Sequence, residues 1–216
     1  MHYKAVLFDM DGLLLDSERQ YRETFLQSCE TFGLSGKEHV FYDCIGLRNV
    51  DSTKVLEKGL GHLVDLTKFN AEWDKRIRHK RAEDMPLKTG VKELLTMLQE
   101  GDAPRIVATS TGTENAFHHL QIAGIYDLTS DVVGGDQVTH GKPDPEIYLK
   151  AAVKAGVCAE DCAAFEDSDP GTLAAVRSDA TTAQVPDLNQ PSDRTRSLGH
   201  VIAEDLLSGA KEIGLI

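Results

Sequence analysis

Ala5-Val6-Leu7-Phe8-Asp9-Met10-Asp11-Gly12 runs from four apolar residues straight into two acids and a glycine. Four apolar residues are too few for a helix and read as a buried strand that ends where the acids begin. Asp9 and Asp11 are two apart, so an extended backbone points both carboxylates the same way, and Gly12 lets the chain turn sharply after them. Like charges this close need a cation. Mg²⁺ fits, because it takes oxygen ligands and commonly sits between carboxylates and a substrate phosphate. Taken alone, the pattern also describes a surface turn with two solvated acids, so the rest of the chain decides between the two.

Downstream, Ser17 is placed to cap a helix whose apolar stripe is Tyr21, Phe25, Cys29 and Phe32 and which Gly33 stops. Helical patterns follow at Lys37–Cys44, Val50–Leu60 and Thr67–Asp84, with no strand pattern among them, so residues 17–85 read as an all-helical insertion. In the last of these helices Trp73 and Ile77 mark the buried side. Lys75, Arg76, Arg78, Lys80 and Arg81 read as a solvated face, with an anion-drawing surface as the alternative.

Past Met85-Pro86 helices and strands alternate. A helix through Val91, Leu94, Leu95 and Leu98 precedes a strand at Ile106–Ala108, which ends in Thr109-Ser110-Thr111-Gly112. Thr111 and Glu114 have capping-box spacing, and hydroxyls with free N–H groups at a helix start suit a phosphate or an ordinary cap. A strand at Asp131–Val133 leads to Gly141-Lys142-Pro143-Asp144-Pro145. There Asp144 caps, Pro145 starts a helix running to Gly156, and Lys142 is held in the turn before it. Cys162–Phe165 is a fourth strand, ending in Glu166-Asp167-Ser168, and Thr182–Val185 and His200–Ile202 are two more. The alternation predicts a parallel sheet with helices on both faces. Ligands gather at the carboxyl ends of such strands, where Asp9, Thr109, Glu166-Asp167 and Lys142 are all expected.

At 216 residues the chain holds one core plus a small module. A net charge of −12 argues against nucleic acid and anionic membrane as partners. No apolar run is long enough to span a bilayer and none resembles a signal segment, so a cytoplasmic protein is expected, monomeric by default. Cys29, Cys44, Cys158 and Cys162 lack metal-ligand spacing and are expected to be reduced. His118-His119 is expected to be a pair of surface histidines, since neighbours on a helix diverge, and His140 a loop residue.

Asp9-Met10-Asp11-Gly12 with Leu15-Asp16-Ser17-Glu18, Ala108-Thr109-Ser110, Gly141-Lys142-Pro143-Asp144-Pro145 and Phe165-Glu166-Asp167-Ser168 with Gly171, in this order, resembles the haloacid dehalogenase superfamily. The likeness is to its subfamily IA group of β-phosphoglucomutase-like proteins, sugar phosphatases and pseudouridine-5'-phosphatases. It implies a Rossmann-like core (1–16 and 86–216) with a helical cap (17–85) inserted after the first motif. It also implies a Mg²⁺-dependent phosphatase acting on a small phosphorylated metabolite, a sugar phosphate or nucleotide-like monophosphate, through an aspartyl-phosphate. By resemblance Asp9 is the nucleophile and Asp11 the acid and base. Lys142 neutralises the phosphoryl group, and Thr109 and Ser110 bind it. Asp9, the Asp11 carbonyl and Asp167 hold the metal with Glu166 assisting, and Arg48 reaches substrate from the cap. An Asp at position 11 speaks against carbon–halogen and carbon–phosphorus cleavage. Mutases of the group have His where this chain has Tyr21, which favours hydrolysis over phosphomutase chemistry; a silent binding protein on the same fold is the third alternative. Asp179 stands near where relatives often have Gly at a helix end.

Overall fold

The computed structural model describes residues 2–216, the side chain of Glu83 excepted. Strand β1 (Ala5–Phe8) is followed by four helices, α1 (Ser17–Thr31), α2 (Glu38–Tyr42), α3 (Asn49–Leu60) and α4 (Leu66–Glu83). Alternation then begins with α5 (Val91–Glu100), β2 (Arg105–Ala108), α6 (Thr113–Ile122), β3 (Asp131–Val133), α7 (Glu146–Lys154) and β4 (Cys162–Glu166). It continues through α8 (Asp169–Arg177), β5 (Thr181–Gln184), α9 (Asp193–Arg196), β6 (Val201–Ile202) and α10 (Leu206–Glu212).

The strands form one sheet in the order β3-β2-β1-β4-β5-β6, every neighbouring pair parallel. This is the α/β, Rossmann-like architecture. Successive side chains of β1 go to opposite faces, as the two-residue period requires. Val6 and Phe8 join Leu94, Leu95 and Leu98 of α5, Leu120 of α6 and Leu206 of α10, while Ala5 and Leu7 join Ile147 and Tyr148 of α7 and Ala174 and Ala175 of α8. Both faces are therefore covered, and β1 and β4 are buried throughout, which is why they read as unbroken apolar runs. Phe8 and Phe165, side by side on β1 and β4, stack at 5.3 Å.

Helices α1–α4 enclose an apolar cluster of their own, built on Phe25, Phe41, Leu56, Leu60 and Phe69 with Trp73 packed against it. Trp73 also donates from its ring N–H to the Tyr21 carbonyl and to Thr24 Oγ1, at 3.3 and 3.2 Å. No described helix is long and apolar enough to cross a membrane.

Two expected caps do not form. Ser17 is the first residue of α1, and its hydroxyl goes to Asp11 Oδ1 at 2.7 Å. The Thr111–Glu114 capping box is absent: α6 starts after Gly112, and the Asp136 carboxylate takes the Thr113 N–H and hydroxyl, both at 2.7 Å. Thr111 Oγ1 instead donates to Asp11 Oδ2 at 2.7 Å. In both places a hydroxyl suited to an orphan helical N–H has a charged acceptor within reach, and the charged acceptor makes the stronger bond. Pro145, not Asp144, stands at the N-cap position of α7, yet Asp144 Oδ1 still accepts from the Glu146 N–H at 3.0 Å.

Candidate active site

Because β1 sits between β2 and β4, with Phe8 level with Val107 and Phe165, the residues that follow these three strands meet at one edge. Carboxylate oxygens of Asp9, Glu166 and Asp167 lie within 4.8 Å of one another, all three side chains buried. Lys142 enters from the loop before α7, follows β3 in the chain, and is 4% exposed. Its Nζ donates to Asp9 Oδ1 and, at 2.5 Å, to Glu166 Oε1. The buried Tyr148 hydroxyl of α7 donates to the same Glu166 oxygen at 2.9 Å. Glu166 Oε2 accepts from the Asp167 and Ser168 N–H groups and from the Ser168 hydroxyl, at 3.0 to 3.2 Å. Glu166 is thus fully hydrogen-bonded and holds Lys142 against Asp9. Gly171 is what allows it, for a Cβ there would come within 1.8 Å of Glu166 Oε1.

Burial pushes the Asp9 carboxyl up to about 8 even though Lys142 pulls it down; burial, then Glu166 and Asp9, push Asp167 well above the carboxylate range. Lys142 goes the other way. Burial opposes its charge, yet Asp9 and Glu166 together raise it above its ordinary value. One ammonium therefore serves three carboxylates, and no described residue donates a hydrogen bond to the Asp167 side chain. Hard oxygen donors, an uncompensated negative charge and burial are the conditions a divalent cation satisfies, so these residues fit one. The Asp11 side chain is not part of this group.

Asp11 is held from elsewhere. Beyond the Ser17 and Thr111 hydroxyls, Arg81 of α4 brings Nη2 to 3.4 Å from Asp11 Oδ1. Burial pushes the Asp11 carboxyl up, but the Arg81 charge and the two hydroxyls outweigh it and leave it below its ordinary value. Arg81 is 7% exposed, covers the Tyr21 ring at 4.0 Å, and has Nη1 3.1 Å from His119 Nε2. Two expectations are thereby corrected. Arg81 does not belong to a solvated face: α4 turns it inward in line with Trp73 and Ile77. His119 is not at the surface either; it is 8% exposed beside Leu120, and burial, then Arg81, lower it to about 4.

Thr109 is buried, its Oγ1 accepting from the Thr111 N–H at 3.1 Å, and Ser110 donates to the Gly46 carbonyl between α2 and α3 at 3.1 Å. Arg48 reaches across the same seam. Its guanidinium is engaged by Asp51 and by the Val138 and Thr139 carbonyls of the loop that carries Lys142, so it ties the start of α3 to that loop and does not face Asp9. Of the residues that shape the site, Tyr148, Thr111, Arg81 and His119 were not expected from the sequence. Tyr148 follows Ile147 in the apolar run that carries α7, which hides its hydroxyl from a reading of the sequence. A cleft of about 460 Å³ lined by Gln99, Arg105, Asp131 and Lys154 opens at the amino ends of β2 and β3, away from these groups.

The profile of the haloacid dehalogenase-like hydrolase family matches residues 6–185. The chain is 31% identical over 172 residues to a phosphorylated carbohydrates phosphatase of Thermotoga maritima, covering 80% of each. It is 28% identical over 178 residues to a fructose-1-phosphate phosphatase of Escherichia coli, covering 80% of this chain and 91% of that one. A β-phosphoglucomutase of Clostridium difficile superposes with a TM-score of 0.78 over 94% of this chain and 91% of the other; at 16% identity that likeness shows the fold alone.

Proposed function

The chain belongs to the haloacid dehalogenase-like hydrolase family, and from that membership we propose that it is a phosphoric monoester hydrolase acting on a small phosphorylated metabolite, in the sugar phosphate or nucleotide-like monophosphate class. The observation that carries this reading is Lys142 clamped between Asp9 and Glu166, beside the unpartnered Asp167. Asp9 attacks phosphorus and becomes an aspartyl-phosphate, which divides the transfer into two easier steps. A Mg²⁺ ion held by Asp9, Asp167 and the Asp11 carbonyl would neutralise the phosphoryl oxygens. Lys142 supplies the fixed positive charge on that group, and Thr109 and Ser110 orient its oxygens in a buried, preorganised site. Asp11 gives a proton to the leaving oxygen and later takes one from water. Facing Arg81 it is ionised, the form the second step needs; the first step requires Arg81 to draw back with α4. Residues 17–85 therefore act as a cap over a core of 1–16 and 86–216, with Arg48 among its latches in the arrangement described and a contact to substrate in another. We place the enzyme in the cytoplasm as a monomer, in keeping with its four free thiols.

Phosphate release from a panel of sugar phosphates and nucleoside monophosphates, with Mg²⁺ and with EDTA, tests the reading. Asp9→Asn is expected to lower turnover by at least about a thousandfold while the fold persists, since the nucleophile itself is removed. Conversion of β-glucose 1-phosphate in the presence of a bisphosphate, with no phosphate released from any ester, would replace hydrolysis by phosphomutase chemistry.

A further inference from the structure

Glu18, in the first turn of α1, is 8% exposed, and no described residue donates a hydrogen bond to its carboxylate. Its oxygens are nevertheless not among the sealed unpartnered atoms, as Asp187 Oδ2 is. The nearby cations are committed elsewhere: Lys88 and Arg19 to Asp187 at 2.6 and 3.4 Å, and Arg81 to Asp11 and His119. The surroundings are acidic. Burial first, then Asp11, Asp187 and Asp9, push the Glu18 carboxyl up to about 8.

Gly12 fixes where this acid lies. With φ +86° it takes a left-handed turn, and a Cβ there would meet Asp167 Oδ2 at 2.4 Å and Glu18 Cγ at 3.2 Å. Glu18 and Asp167 thus flank the same glycine, one from the cap side and one from the core. A buried acid without a partner destabilises a fold, and such a group persists where a ligand completes it. What Glu18 offers is carboxyl oxygens that no described residue bonds, next to Asp11, which handles the leaving oxygen. What it lacks is donors, which the hydroxyls of a polyol supply.

We propose that Glu18 accepts a hydroxyl of the leaving group, so that the enzyme selects phosphate esters of sugars and polyols over esters whose leaving group carries no hydroxyl. This rests on the hydrolase reading above. A site built to bond a substrate hydroxyl rejects the analogue that lacks it, because the buried acceptor is then left unpaired.

The test compares kcat/KM for the preferred sugar phosphate with that for p-nitrophenyl phosphate in wild type, Glu18→Gln and Glu18→Ala, alongside the melting temperature of each. In Glu18→Ala the ratio of the two kcat/KM values is expected to fall roughly ten- to hundredfold, mostly through KM. Glu18→Gln, which keeps one acceptor, falls less. Both variants are expected to melt higher than wild type at pH 8, by about 3 °C, since each removes an acid buried without a partner among other acids. A ratio that stays constant, or a lower melting temperature with both esters losing equally, overturns the inference and leaves the hydrolase standing. Wild type that cleaves neither ester overturns the hydrolase reading and this inference with it.

Discussion

Tyr148 shows how much of the site's chemistry depends on groups that never reach substrate. Its hydroxyl shares Glu166 Oε1 with Lys142, and the ammonium lies 5.5 Å from the Tyr148 ring. Replacing it by Phe leaves the packing against Ile106 and Ala164 nearly intact and removes one of the two donors that fix that oxygen. Tyr148→Phe is therefore expected to lower kcat about five- to tenfold, the size of one ordinary net hydrogen bond, since Lys142 still holds the same oxygen. KM is expected to change little, because Lys142 keeps its place but loses rigidity. Steady-state kinetics at saturating Mg²⁺ measure both. Arg81 carries the complementary lesson. Its position was legible, since Trp73, Ile77 and Arg81 follow at four-residue spacing on one face of α4, but a run of five basic residues in seven reads as solvated. Long cationic side chains hide on an apolar stripe when an acid waits at its end.

At the scale of elements, the strands and the two halves of the helix count were readable because both faces of the sheet are covered, so β1, β2 and β4 are short apolar runs with no polar alternation to confuse them. Helix starts were less readable. Ser17 and Thr111 have the chemistry of caps, and which acceptor a hydroxyl takes depends on Asp11, brought alongside by the fold and invisible to local pattern. The end of α8 carries an unusual residue: Asp179 adopts φ +67° just past the helix. A β-carbon in the left-handed region costs about 1 kcal/mol, somewhat less for Asp than for bulkier residues. The exposed Asp179→Gly change is expected to stabilise the protein by about 0.5 kcal/mol, after the added unfolded-state freedom of glycine is subtracted. A higher urea midpoint at unchanged slope would register it.

For the whole molecule, of charge −12, the buried acids at the candidate site set how stability responds to pH. Asp9 and Glu18, each raised to about 8 by burial, bind protons in the folded state that the unfolded chain has released. Their contribution to stability is complete below the unfolded values near 4 and is lost as pH rises through 8. His119, lowered to about 4, acts in the opposite sense only up to its unfolded value near 6.5. Between pH 6.5 and 8 the melting temperature in EDTA is therefore expected to fall, and Mg²⁺ to raise it more at pH 8 than at pH 6.5; calorimetry at the two pH values, with and without the ion, checks the sign. The order β3-β2-β1-β4-β5-β6 also bears on how the protein is made. Of the six described strands, β1 is made before the other five yet is an inner one, and its two neighbours begin at Arg105 and Cys162. At roughly 5–20 residues per second, Ala5–Phe8 emerges from the ribosome on the order of 10 s or more before β4 exists to pair with it. Helices α1–α4, contiguous in the chain and with an apolar cluster of their own, can collapse in that interval. The nascent chain can thus carry a collapsed α1–α4 beside an unpaired Ala-Val-Leu-Phe strand, the segment a chaperone would have most reason to hold.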